Sequence, residues 1–166
     1  MTLADFTRAG LIVPHVASRD ATSVIHELSL ALQREGCIPD LLPFYHEALN
    51  REFLLSTDME EGMAFPHARL PGLRELAFAF GRSDEPFAWG PGTARPIRLV
   101  FLLAVPTNGA DDYLPLVSGL TRLSTNSRAL EAIHGATSPE AILAAFREIE
   151  LRRGPGALSV AQTESL

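Results

Sequence analysis

His67 is the side chain with the widest chemical range in this sequence. It lies in Gly62-Met-Ala-Phe-Pro-His-Ala-Arg69, directly after Pro66 and two positions before Arg69. An imidazole ordinarily titrates at about 6.5, so near neutral pH it offers an unprotonated nitrogen that can act as a base or a nucleophile. Proline lacks an N–H and has a fixed φ, so Pro66 is expected to end the short apolar strand before it and hold His67 in a defined loop. Ala68 leaves room for a partner, and Arg69 adds positive charge. The same features also describe an ordinary exposed loop histidine, and the local context leaves both readings open. Arg51-Glu52 is the second place with chemistry in it. By itself the pair reads as a solvated helix end. If Arg51 stands beside His67, a guanidinium next to an imidazole makes a phosphate site, because arginine keeps its charge and gives two parallel hydrogen bonds to phosphate oxygens.

The other candidates are weaker. His15, His26, His46 and His134 complete the set of five histidines, and none belongs to an HxH, an HExxH or a Cys/His cluster with ligand spacing. No metal or cofactor is therefore expected. His26 and His46 fit helical patterns at the surface or core edge, His15 fits a loop, and His134 fits a helix end where a cation would favour the dipole. No GxSxG, P-loop or GxGxxG motif occurs, so serine hydrolase, P-loop and Rossmann chemistry have no starting point. Cys37 is the only cysteine, which excludes an intrachain disulfide and fits a structural thiol in a reducing cytoplasm.

Composition bounds the class. With 166 residues, 46% hydrophobic and 20% charged, the chain is expected to form one globular domain with a proper core. A net charge of −6 argues against a general nucleic-acid binder, although a local basic patch can still take an anion. The N-terminus carries Asp5 early and no apolar run suited to a signal peptide. Leu99 to Val105, the longest apolar run, falls far short of the roughly 20 residues that span a bilayer.

The elements that must position His67 and Arg51 follow from periodicity. Gly10 to Pro14 reads as a short strand. Asp20 is an expected N-cap, followed by a helix whose apolar face is Val24, Leu28, Leu30, Ala31 and Leu32. Asp40 is placed to cap a second helix through Leu41, Leu42, Tyr45, Leu49 and Glu52. Leu76 to Phe80 and Ile97 to Val105 read as strands, the latter central and covered on both faces. After a loop over residues 106–112, Tyr113, Leu114, Leu116, Val117, Leu120 and Leu123 recur at helical spacing. Helices around Ala129 to Ile133 and from Ser138-Pro139-Glu140 follow, the last with Ile142, Leu143 and Phe146 on its core face. The order of helices and strands indicates a two- or three-layer α/β domain over residues 1–153, with a disordered tail over 154–166 containing Pro155 and Gly156.

Three segments in this order carry a resemblance: Leu49-Asn-Arg-Glu52 with Ser56-Thr57; Gly62-Met-Ala-Phe-Pro-His-Ala-Arg69; and Leu99-Val-Phe-Leu-Leu-Ala-Val-Pro106 with Tyr113-Leu-Pro-Leu116 and Leu120. Together they resemble the EIIA domain of the fructose/mannitol type, a family that includes the nitrogen-regulatory EIIA proteins of the bacterial phosphoenolpyruvate-dependent phosphotransferase system. The likeness extends over about residues 3 to 150. It implies a mixed β-sheet flanked by helices. It also implies that His67 accepts a phosphoryl group from the phosphocarrier protein HPr and passes it to an EIIB domain or uses it for regulation. Arg51 matches the family arginine that neutralises the phosphoryl oxygens, and Phe65 and Met63 would form an apolar rim that excludes water.

The sequence departs from the family pattern at Tyr113, which occupies the position of a second histidine. A tyrosine can donate a hydrogen bond to a phosphoryl oxygen but carries no positive charge at neutral pH, and it can also simply pack at the core edge. Asp111 and Asp112 add negative charge beside it. Two readings follow: a working cytoplasmic phosphocarrier, or a regulatory protein on the same fold with weakened or lost phosphotransfer. No EIIB or EIIC region is attached in this sequence, and nothing in it names a sugar.

Overall fold

The computed structural model describes residues 1–54, 62–90 and 96–152, apart from the side chains of residues 53 and 54. Ser56-Thr57 and the tail expected from residue 154 lie outside the described residues. Two long strands, β4 (Ala77–Ala88) and β5 (Pro96–Pro106), run antiparallel through the middle of one mixed sheet. Strand β1 (Ile12–Val13) lies parallel to β4 on one side. On the other side, β2 (Met63–Ala64) and β3 (His67–Leu70) both run parallel to β5 and form the opposite edge.

The alternation of side chains along β4 and β5 makes the three layers. Leu99, Phe101, Leu103 and Val105 of β5 join Phe78 and Phe80 of β4 in one core. That core is covered by α3 (Tyr113–Ser124), α4 (Ser127–Gly135) and α5 (Pro139–Phe146). The intervening residues Val100, Leu102 and Ala104, with Ala77 and Ala79, enter a second core beneath α1 (Ala21–Arg34) and α2 (Leu41–Leu54). A strand buried on both faces needs apolar residues at every position, which is why β5 reads as a continuous hydrophobic run. The first core centres on Phe78, Phe80, Phe101 and Phe146, with ring centroids 4.9 to 5.9 Å apart, within the range of favourable aromatic packing. The expected mixed sheet flanked by helices is the fold observed.

Helix starts follow their caps. Asp20 accepts from Ser23 N at 2.9 Å, Asn126 from Ala129 N at 3.0 Å and Ser138 from Ala141 N at 3.2 Å, each satisfying a donor that the first turn leaves without a helical partner. Three helical faces are narrower than the apolar periodicity implies. Leu30 of α1 is 40% exposed, Leu42 of α2 is 57% exposed, and Leu114 and Val117 of α3 are 74% and 37% exposed.

Strand β4 runs past Phe80 into two buried polar residues, Arg82 and Ser83, before Asp84, Glu85 and Pro86 turn to the surface. Arg82 is 7% exposed, and donates from Nε and Nη2 to the His134 carbonyl and from Nη1 to the Pro14 carbonyl and the Asp84 carboxylate. This guanidinium ties β1, β4 and the end of α4 together. A buried charge is tolerable when its donors are all met by acceptors.

Candidate functional site

The site is built on the edge strand, which is interrupted at Phe65-Pro66 and then resumes. Met63 pairs with Leu99 and Ala64 with Val100; after the break His67 pairs with Leu103 and Ala68 with Ala104. The pairing offset is the same on both sides, so the break changes local geometry without shifting register. Pro66 has no N–H for the ladder, yet its carbonyl accepts from Leu103 N at 2.9 Å and draws the chain back onto β5. His67 is therefore the first residue of β3, not a loop residue. The proline interrupts the edge strand, which the backbone of β5 then recaptures.

Gly62 opens this segment with φ +76°, a left-handed conformation that glycine adopts without a side-chain penalty. Its carbonyl accepts from Arg98 N at 2.9 Å and Leu99 N at 3.1 Å, anchoring the start of β2.

Strand alternation sends His67 to the α3 side and buries Ala68 toward α2. Arg51, in the last turn of α2, reaches this edge from the opposite layer, and its Nε–H donates to His67 Nε2 at 3.3 Å. On the other side of the ring, Nδ1 lies 3.2 Å from the Phe65 carbonyl oxygen. A carbonyl only accepts, so Nδ1 carries the hydrogen and Nε2 holds the lone pair. Residues 67 and 51 thus stand together, with the Nε2 lone pair turned toward the Arg51 guanidinium.

The imidazole separates two clefts. One, of about 190 Å³, is polar and lined by Glu47, Arg51, His67, Ala68, Arg69, Val105 and Tyr113. The other, of about 200 Å³, is mainly apolar, lined by Phe65, His67, Leu103, Tyr113, Val117, Leu120 and Thr121. Tyr113, the first residue of α3, borders both and packs against the first core. The exposed Leu114 and Val117 lie on the same helix. Phe65 stacks on Phe101 at 5.5 Å and keeps its place at the apolar rim. Met63, expected beside it, is instead fully buried in the core.

Sequence reasoning missed what holds Arg51 in place. The next residue, Glu52, is no freely solvated helix end: its carboxylate accepts from the indole N–H of Trp89 at 2.5 Å. Trp89 is buried in the second core, so this bond fastens the last turn of α2 to the sheet layer. A lone tryptophan far along the chain gave no sign of its partner.

The remaining histidines stand away from the site. His15 pairs with Asp84, whose carboxyl is held below the ordinary range first by Arg82 and then by His15. His26 meets Tyr45 edge-on at 5.1 Å, and His46 is exposed. His134 sits at the end of α4, but burial, and then Arg98 and Arg82, lower its pKa, so the cationic form expected at a helix end is disfavoured. Cys37 is buried, and burial raises its thiol pKa. Among the described residues no helix is long and apolar enough to cross a membrane.

Comparisons with known proteins agree with this architecture. Over 148 residues the chain is 31% identical to the PTS system 2-O-alpha-mannosyl-D-glycerate-specific EIIABC component of Escherichia coli K12. That match covers 88% of this chain and 22% of the relative, so the chain spans about a fifth of that longer protein. The fold is similar to the crystal structure of nitrogen regulatory protein IIA-Ntr from Neisseria meningitidis, with a TM-score of 0.74 at 25% identity, covering 87% of this chain and 98% of that one. It is also similar to a structure of the complex of the mannitol enzyme IIA and phosphorylated enzyme IIB from Escherichia coli, with a TM-score of 0.68 at 19% identity, covering 83% of this chain and 94% of that one. Residues 5–149 match the family described as phosphoenolpyruvate-dependent sugar phosphotransferase system, EIIA 2, and the chain belongs to that family.

Proposed function

We propose that this protein carries a phosphoryl group on Nε2 of His67, taking it from an HPr-type phosphocarrier in the cytoplasm and delivering it to an EIIB domain or a regulatory target. The observation that carries the reading is the orientation of the ring. Nδ1–H is tied to the Phe65 carbonyl, and Nε2 faces the Arg51 guanidinium.

In the transfer, the Nε2 lone pair forms a bond to phosphorus as the nitrogen–phosphorus bond of the donor breaks, and the donor imidazole leaves with that electron pair. The positive charge that develops on the His67 ring spreads to Nδ1–H, which keeps its carbonyl acceptor. Arg51 makes a long hydrogen bond to Nε2 at 3.3 Å, so little is lost when its N–H groups turn to the incoming phosphoryl oxygens. Phosphoryl transfer depends mainly on positioning and charge neutralisation, which this pair supplies. The mainly apolar cleft at Phe65, Leu103 and Val117 gives a partner protein a surface that excludes water from the labile bond. The complex of an enzyme IIA with a phosphorylated enzyme IIB, on a similar fold, supports an EIIB domain as the recipient.

The test is labelling with a phosphorylated HPr-type donor. Wild type should acquire acid-labile label and His67→Ala none; a wild type that stays unlabelled with every donor removes the carrier role. A second reading, a regulatory protein with slowed phosphotransfer, is favoured by Tyr113 at the mouth of the site and by the similarity to a nitrogen regulatory protein. Tyr113→His separates the two, since faster labelling in that variant marks the tyrosine as a brake.

A further inference from the structure

We propose that Arg69 is a second anion-binding residue of this site, held over it by the Tyr113 ring, so that a phosphoryl group on His67 meets two arginines rather than one. The inference rests on the reading of His67 as the phosphoryl acceptor. Residues 67 and 69 are alternate positions of β3, opposite Leu103 and Val105 of β5, so they share a face of the strand. Same-face neighbours on a strand stand about 6.6 Å apart at the Cα, within the reach of an arginine side chain. Arg51 and Arg69 line the same polar cleft around His67, one arriving from α2 and the other from the strand itself.

Tyr113 holds the second guanidinium. The Arg69 Cζ lies over the Tyr113 ring, 5.3 Å from its centroid, where the negative face of the ring attracts a cation. A cation–π contact uses none of the guanidinium N–H donors, which stay available for an acceptor. Arg69 makes no ion pair among the described residues, and its side chain is exposed at the cleft mouth. Among the described residues that line the cleft, Glu47 is the one carboxylate, against two guanidinium groups. An aromatic residue at 113 thereby brings positive charge to the site through its neighbour without carrying any itself. Tyr113 acts as a positioning residue for Arg69.

Two readouts on the full chain test this. The first is the dissociation constant for inorganic phosphate, followed through the NMR signals of the His67 ring; the second is the rate of labelling from a phosphorylated HPr-type donor. Arg69→Gln should weaken phosphate binding by about tenfold, the scale of a lost charge-assisted hydrogen bond, whereas Arg128→Gln on α4 controls for net charge and should leave it unchanged. Tyr113→Leu should weaken binding similarly, and the double variant should be no weaker than Arg69→Gln alone, because both substitutions remove one interaction. Equal dissociation constants for wild type and Arg69→Gln overturn the proposal, as does a wild-type His67 ring that does not respond to phosphate. Independent, additive losses overturn the role given to Tyr113. If wild type takes no label while Arg69→Gln still weakens phosphate binding, the carrier role fails and the two-arginine site stands. If labelling occurs but phosphate binding is insensitive to Arg69, the carrier role stands and the second arginine falls.

Discussion

At the scale of single residues, the site separates groups that hold the fold from groups that act on a ligand. Arg51 is exposed and touches His67 through one long hydrogen bond. Replacing it with glutamine should change stability by less than about 0.5 kcal/mol, the usual range for a surface substitution, while slowing labelling of His67 by about tenfold or more, the scale of a lost charge-assisted contact. Urea denaturation and labelling rates on the same sample check both halves. Residue type alone left His67 and Arg51 open, and it was the order of three segments resembling one family that made them a pair worth testing. Residue type did not give the tautomer, because the acceptor for Nδ1 is the backbone carbonyl of Phe65, brought there by the break at Pro66. Nor did it distinguish Phe65 at the rim from Met63 in the core, since both are apolar and only the strand's pairing decides which one is covered.

At the scale of elements, the interrupted edge strand and the end of α2 determine where the His67 and Arg51 side chains lie. Gly62→Ala has space for its methyl group, the nearest heavy atom being the Pro96 carbonyl oxygen at 3.5 Å. The cost is therefore one of backbone conformation, about 1–2 kcal/mol for a left-handed residue, read as a lower urea midpoint with unchanged m-value. Glu52→Ala leaves the Trp89 indole N–H buried without this carboxylate. We expect a loss of about 1–3 kcal/mol, with slower labelling because the turn carrying Arg51 loosens; Glu52→Gln, which keeps an acceptor, should recover most of both. The helices and the central strand β5 were legible because their apolar spacing is regular, and α1 and α5 start at the expected caps, Asp20 and Ser138. The second half of β4 was not, since a buried arginine in a strand makes sense only once the carbonyls of Pro14 and His134 converge on it. Leu30 and Val117 fit the helical period yet face outward, because periodicity gives a stripe without saying how wide a neighbour covers it.

At the scale of the whole molecule, three layers place the His67 imidazole of the edge strand between an arginine from the α2 layer and the start of α3. Stability of this arrangement should depend on pH through His134. Burial, then Arg98 and Arg82, hold its folded pKa below the ordinary value of about 6.5. As pH falls below that value the unfolded chain takes up a proton that the folded chain refuses, so stability declines until the folded pKa is passed. Denaturation midpoints should therefore drop as pH falls below about 6.5, and drop less in His134→Gln, which keeps the backbone carbonyl that Arg82 needs. The class of fold was legible from the order of elements and from three short segments; the way two layers meet at one imidazole required the structure. The most direct test of the account is to locate the phosphoryl group itself. The protein, labelled with ¹⁵N-histidine and phosphorylated by an HPr-type donor, should show phosphorus bonded to Nε2 of His67 by NMR, and phosphorus on Nδ1, on another residue or nowhere would contradict it.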